Sequence, residues 1–219
     1  TPLTNKDGEI VEFLEHCSDV TELIQTQEKL LYERNYDLLT NLPNKKKFIE
    51  DLEKSINISS HHKLMSCLIL VDIDDLKTIN DSFGHETGDK VIVQFAKWAK
   101  DIIRKEDTLS RLHGYSFAIL LNQVDDKLAP TRLIDELRDK ANNSSIEVMY
   151  NEIQITFCSG IAIYPNDGVT TTALFKNADS ALHEAKKIGK NSYKFYEEEL
   201  TKKAFEKVVL ESNIKQAIV

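Results

Sequence analysis

Several things are scarce in this sequence. Cysteine occurs three times in 219 residues: Cys17, Cys67 and Cys158 are widely spaced, odd in number and set in apolar runs. That excludes a disulfide framework and points to buried, reduced thiols in a cytoplasmic compartment. No apolar run approaches the roughly 20 residues that span a bilayer, and no signal peptide opens the chain. Any membrane attachment of the full-length protein is therefore expected upstream. Basic charge is outweighed, with 28 Lys and Arg against 36 Asp and Glu and a net charge of −8. This argues against a nucleic-acid groove, which needs a basic surface, but leaves room for a small basic pocket. Internal repeats and low-complexity tracts are lacking. His61, His62, His85 and His183 show no metal-ligand spacing and read as structural or surface residues. The chain starts at Thr1 rather than Met and stops inside a helical pattern, so it reads as a piece of a longer protein.

What is present suffices for one substantial domain: 41% of residues are hydrophobic, enough to build a core. Residues 8–17 alternate with period two after a glycine and predict a strand. Asp19 is placed to cap a helix to about Tyr36, whose Val20, Leu23, Ile24, Leu30 and Leu31 share a face. That face suits core packing or the seam of a parallel dimer. After Asn41-Leu42-Pro43-Asn44 a helix is expected through about Ile56, with Phe48, Ile49, Leu52 and Ile56 inward. "LMSCLILVD", 64–72, is apolar throughout and predicts a central strand covered on both faces. A short helix follows over 74–81, then a longer one over 87–104 with Val91, Ile92, Phe95, Trp98, Ala99, Ile102 and Ile103 buried. A hairpin occupies 107–121, a helix begins at Pro130, and 153–163 reads as one long alternating strand. Residues 171–188 form a helix ended by Gly189, and 191–195 a last strand. A hairpin among βα units predicts a mixed sheet flanked by helices.

Asp72, Asp74 and Asp75 cap the apolar strand. Carboxylates there can hold Mg²⁺, which takes oxygen ligands from protein and phosphate; equally, such acids serve as helix caps or solvated turn residues. If the strand continues, Asp72 and Asp74 share a side. Asn80 and Asp89 offer groups suited to a purine edge. Lys186 and Lys190, four apart near a helix end, can point together at phosphate or simply form a solvated face.

Five ordered blocks give the chain a family likeness. "DLLTNLPNKKKF", "LVDIDDLKTINDSFGHETGDKVI", "SRLHGYSFAILL", "SGIAIYPNDG" and "ADSALHEAKKIGKN" together resemble the GGDEF domains, diguanylate cyclases that condense two GTP into cyclic di-GMP, over 37–196. The resemblance implies an α/β (α+β) fold, a five-stranded, mainly antiparallel sheet flanked by helices, like the palm of nucleotide cyclases and polymerases. It implies Mg²⁺ held by Asp72 and the carbonyl of Ile73, and phosphate contacts from Lys77, Lys186 and Lys190, the last standing where arginine is usual. It implies guanine reading by Asn80 and Asp89. "RKED" matches the family's RxxD inhibitory site for cyclic di-GMP through Arg104 and Asp107, although those residues also suit an exposed i,i+3 ion pair.

The departure lies in the signature loop, which here reads His113-Gly114-Tyr115-Ser116-Phe117. The family supplies acids at the third and fourth positions; Tyr115 and Ser116 bring no carboxylate. The resemblance therefore implies a module that binds GTP or cyclic di-GMP with no catalytic residue left in the loop. The alternatives are an active cyclase with an altered loop, in which His113 substitutes as the base, and a dimerisation module without ligand. The flanks extend the likeness. Residues 1–18 resemble the end of a PAS sensor domain, 19–36 the signalling helix that joins it to a GGDEF domain, and 197–219 a helical linker towards an EAL phosphodiesterase domain.

Overall fold

The structure is a computed structural model that describes residues 2–4, 6–13, 27, 29–30, 32–126, 128–148 and 151–197. The chain divides into two compact units, Thr1–Arg34 and Asn35–Val219. In the first, β1 (Pro2–Thr4) pairs antiparallel with β2 (Ile10–Phe13), within the stretch expected as a strand. The rest of that stretch, Cys17, most of the helix from Asp19 and the linker beyond residue 197 lie outside the described residues. Residues 32–35 are helical.

The second unit contains α1 (Lys45–His62), β3 (Met65–Ile73), α2 (Leu76–Phe83), α3 (His85–Ile102), β4 (Thr108–His113), β5 (Ser116–Val124) and α4 (Ala129–Asn142). There follow β6 (Ile146–Val148), β7 (Asn151–Ile153), β8 (Phe157–Tyr164), α5 (Thr171–Ile188) and β9 (Tyr193–Phe195). Five strands form one sheet in the order β4-β5-β3-β8-β9. Only the β8–β9 pair is parallel, so the sheet is mainly antiparallel, as expected.

Strand alternation sorts the core into two layers. Cys67, Ile69, Val71 and Ile73 of β3 join Phe117, Ile119 and Leu121 of β5 under Val91, Phe95, Trp98, Ile134 and Leu137 of α3 and α4. Leu68 and Leu70 join Ala118, Leu120 and Ala162 under Phe48 and Leu52 of α1 and Leu174, Ala178 and Leu182 of α5. The parity of β3 therefore puts Asp72 on the face that α1 and α5 cover. Gly160 of β8 lets α5 approach: a Cβ there would overlap the backbone of Ala178 and Leu182.

The long helix ends at Ile102, and Ile102 and Ile103, expected in its buried stripe, are only partly buried; two further expectations need correction. The strand read over 153–163 is split: Ile153 ends β7, which pairs with β6, and the sheet strand starts only at Phe157. Every residue of β8 is buried, so Ser159 and Gly160 mimic an alternation that the two-sided cover does not produce. On α1, Ile49 and Ile56 are only partly buried, and Ser55 and Ser59 occupy the inner face. Their hydroxyls meet Ser66 at 3.0 and 2.7 Å, and Ser55 donates to Asn122 Oδ1 at 2.5 Å. Cys67 and Cys158 are free and buried, as anticipated, and burial raises the thiol pKa of both. Among the described residues no helix is long and apolar enough to cross a membrane.

Candidate functional site

Asp72 stands at the end of β3 between Ser116 of β5 and Cys158 of β8. It is only 6% exposed, and a buried carboxylate without a partner is strongly destabilising. Its partner is Lys186, near the end of α5, whose Nζ donates to Asp72 Oδ2. Burial works against the lysine's charge, but the Asp72 contact outweighs it and lifts the Lys186 pKa above the ordinary value. The same Nζ lies 5.7 Å from the centroid of the Tyr115 ring.

The three neighbouring acids have separate tasks. The strand stops at Ile73, so Asp74 does not share a side with Asp72. Asp74 Oδ2 instead accepts from Thr156 Oγ1 and from the Asn191 amide, both at 2.9 Å, tying the start of β8 to the approach to β9. Asp75, at φ 53°, precedes α2 and pairs with Lys190. Among the described residues no group of three or more His, Cys, Asp or Glu could hold a metal. The Asp72 carboxylate and the Ile73 carbonyl are hard oxygen donors of the kind Mg²⁺ uses. Since Mg²⁺ commonly takes one or two carboxylates plus phosphate and water, they fit an ion that arrives with its phosphates.

The β4–β5 turn is gripped from two sides. The Tyr115 carbonyl accepts from the Ile73 amide at 3.2 Å. Arg111 Nε and Nη2 donate to the Gly114 carbonyl at 3.0 and 2.8 Å, and its Nη1 donates to both oxygens of Asp37 at 3.0 and 3.1 Å. Asp37 also accepts from the Thr40 amide and hydroxyl at 2.9 and 2.7 Å. Burial pushes the Asp37 pKa up, but these hydrogen bonds prevail and leave it below the ordinary value. Arg111 is thus a positioning residue that the sequence reading did not single out. Its signal was a lone arginine before the turn, indistinguishable from a surface charge until Asp37 is placed beside it. Within the loop, Ser116 is buried at 8% exposure, Tyr115 is 42% exposed, and His113 is exposed.

Asn80 on α2 packs against Gly88 of α3, the residue before Asp89. The Asn80 side-chain oxygen is buried without a hydrogen-bond partner, and a Cβ on Gly88 would overlap it. Asp89 is exposed beside a shallow, largely apolar depression formed with Leu39, Val93 and Ile146. Lys77, one turn before Asn80, is exposed. His61, His62, His85 and His183 are also exposed.

Arg104 and Asp107 lie between α3 and β4, beside a cavity of about 280 Å³ that Asn122, Asp126, Arg132 and Glu136 also line. Asp107 Oδ1 accepts from the Asn122 amide at 2.9 Å, and its Oδ2 from the Arg104 amide at 3.3 Å. Burial nevertheless raises its pKa. Asp107 therefore takes the backbone of Arg104 rather than its guanidinium, and the i,i+3 side-chain ion pair is not formed. Arg132, paired with Asp126 at 3.0 Å, adds a second arginine that sequence spacing did not reveal.

The family described as "Diguanylate cyclase, GGDEF domain" matches residues 34–192. The chain is 31% identical over 198 residues to the bifunctional diguanylate cyclase/cyclic di-GMP phosphodiesterase MucR of Pseudomonas aeruginosa, covering 90% of this chain and 29% of that protein. It is 28% identical to the cyclic di-GMP phosphodiesterase PdeR of Escherichia coli, covering 92% and 30% respectively. The chain thus spans less than a third of the length of these curated relatives. Among solved structures, the GGDEF domain of TpbB from Pseudomonas aeruginosa superposes with a TM-score of 0.74 at 29% identity, over 76% of this chain and 97% of that one. The coiled coil and GGDEF domain of DgcB from Caulobacter crescentus, in complex with c-di-GMP, gives 0.71 at 26% identity, over 81% and 93%. With its five-stranded sheet, its blocks in order and this match over most of its length, the chain belongs to the GGDEF family of cyclic di-GMP signalling.

Proposed function

We propose that this domain is a regulatory nucleotide-binding module that has kept its ligand sites and lost cyclase chemistry. The observation that carries the reading is the turn beside Asp72. Tyr115 and Ser116 place a phenol and a hydroxyl there, and neither brings a second carboxylate beside Asp72. Joining a 3′-hydroxyl to an α-phosphate needs cations clamped on the attacking and leaving oxygens, and a group to take the proton. One carboxylate supplies neither fully, and losing such stabilisation costs several orders of magnitude in rate.

Binding draws on other residues. Asn80 and Asp89 would read guanine, while Lys77, Lys186 and Lys190 would contact phosphates. Asp72 and the Ile73 carbonyl would hold the Mg²⁺ that accompanies GTP and screens its phosphate charge. Arg104 and Asp107 supply a separate site for cyclic di-GMP, the ligand named for the DgcB structure. In the full protein we place a PAS-like sensor before the domain and an EAL-like phosphodiesterase after it, with pairing of two copies through the helix that precedes residue 37. Two relatives carry phosphodiesterase activity in their names, which supports that arrangement.

The test is product formation from GTP with Mg²⁺ or Mn²⁺ at high protein concentration, alongside calorimetric titration with GTP and cyclic di-GMP. Binding without turnover is expected. Turnover that Asp72→Ala abolishes would establish the active-cyclase alternative instead, and absence of binding by either nucleotide would leave only a dimerisation role.

A further inference from the structure

Tyr115 does more than leave out an acid. Asp72 is buried and must be neutralised; Lys186 does this, and the Lys186 ammonium also lies 5.7 Å from the Tyr115 ring centroid. That is within the about 6 Å at which an aromatic face attracts a cation. A carboxylate at residue 115 would put a second negative charge beside Asp72 and favour a divalent ion. A tyrosine has the opposite effect, because it adds no charge and its ring favours the ammonium already present. The ring is not placed by chance. The backbone on either side of it is fixed by the Ile73 amide on the Tyr115 carbonyl and by the Arg111 guanidinium on the Gly114 carbonyl.

We propose that Tyr115 is a positioning residue: its ring holds Lys186 on Asp72, so that the domain carries its own cation and admits a divalent ion only when a ligand's phosphates draw Lys186 away. The first half concerns the protein alone; the second rests on the nucleotide-binding reading above. While Lys186 is seated, an approaching Mg²⁺ meets a carboxylate whose charge is already balanced, and like-charge repulsion from the ammonium offsets its attraction. Phosphate oxygens carry more charge than one carboxylate and are the stronger partner for the lysine. Once Lys186 turns to them, the Asp72 carboxylate and the Ile73 carbonyl are free to act as ligands.

Mn²⁺ uptake by nucleotide-free protein, followed by electron paramagnetic resonance, tests the first half. The wild type and Tyr115→Phe, which keeps the ring, are expected to bind equally weakly. Tyr115→Ala should bind about two- to fivefold more tightly, the factor carried by a partly exposed cation–π contact, and Lys186→Met about tenfold or more. Each increment should vanish when Asp72→Asn is added. Lys186→Met leaves a buried charge alone and can fail to fold, but residue 115 is exposed and its variants keep the question open to test. Equal uptake by Tyr115→Ala and wild type, or Tyr115→Phe behaving like Tyr115→Ala, overturns the role of the ring. For the second half, wild-type GTP affinity is measured with Mg²⁺ and with a chelator. A gain of about tenfold with Mg²⁺ is expected, and equal affinities overturn the displacement step. No GTP binding under either condition refutes the nucleotide reading itself and leaves the Mn²⁺ result standing.

Discussion

A Cβ on Gly88 would overlap the Asn80 side-chain oxygen, so a missing methyl group fixes where that amide lies. Gly88→Ala should strengthen α3 locally, since alanine is favoured over glycine within a helix by about 0.5–1 kcal/mol. It should also push Asn80 out of position. The expected result is a melting temperature changed by a few degrees at most, with GTP-over-ATP discrimination in calorimetry reduced about tenfold, the worth of one or two hydrogen bonds to a base. Unchanged discrimination means that Asn80 does not read the base. Asp37 offers a prediction about pH. Its pKa is lowered because hydrogen bonds from Thr40 and Arg111 overcome its burial. A lowered carboxylate binds fewer protons folded than unfolded, so its contribution is complete above the ordinary aspartate value of about 3.9 and is lost as pH falls through the folded one. In urea titrations the stability difference between wild type and Asp37→Asn should therefore be constant near neutrality and shrink on acidification below about pH 4. A difference that grows there contradicts the sign. Neither role was legible in the sequence. Gly88 matters through its contact with a side chain on the preceding helix, and the Asp37–Arg111 pair spans α1, β3, α2 and α3.

The elements themselves were far more legible, for reasons that differ from one to the next. For α5 the expected bounds, 171–188, match those found, because Thr170 caps one end, Gly189 ends the other and a regular stripe of Leu174, Ala178, Ala181, Leu182 and Ala185 is buried between them. β3 was legible as an unbroken apolar run, as a strand covered on both faces must be. The start of β8 and the inner face of α1 were not, because both depend on partners distant in sequence. Ser55 and Ser59 look like surface residues until Ser66 and Asn122 are brought against them. The acids after β3 failed in the same way: strand parity grouped Asp74 with Asp72, but the chain turns first and Thr156 and Asn191 claim it. The packing of α5 on β8 yields a prediction at this scale. Gly160→Ala would drive a methyl into the backbone of Ala178 and Leu182, which, unlike the Asn80 side chain, cannot rotate away. A loss of about 1–3 kcal/mol or more is expected from such overpacking, read as a lower urea midpoint. The same shift of α5 should weaken GTP binding through Lys186, and a variant as stable as wild type would mean that helix and sheet are not held as closely as described.

For the whole molecule, the proposal that ligand sites are kept without the chemistry raises the question of what occupancy would achieve. This stretch spans under a third of the curated relatives it matches; in the proposed arrangement with an EAL-like domain after it, a bound nucleotide would act on that neighbour. The route on the protein side is short. Lys186 and Lys190 sit at the end of α5, and only a few residues separate them from β9, which closes the sheet edge before the chain continues past Tyr196. A ligand that pulls both lysines from Asp72 and Asp75 changes the charge balance at that exit. It can bias the neighbouring domain only by its difference in affinity between two states, about 1–3 kcal/mol for typical coupling, or roughly five- to 150-fold. In a chain extended through an EAL-like domain, GTP should therefore raise the rate of cyclic di-GMP hydrolysis by a factor within that range. By reciprocity, occupancy of the hydrolytic site should tighten GTP binding by the same thermodynamic factor. With Asn80→Ala and Asp89→Ala combined, the ratio of rates with and without GTP should fall to one. If the extended wild-type protein binds GTP in calorimetry yet hydrolyses cyclic di-GMP equally fast in its presence and absence, the nucleotide is held without being transmitted.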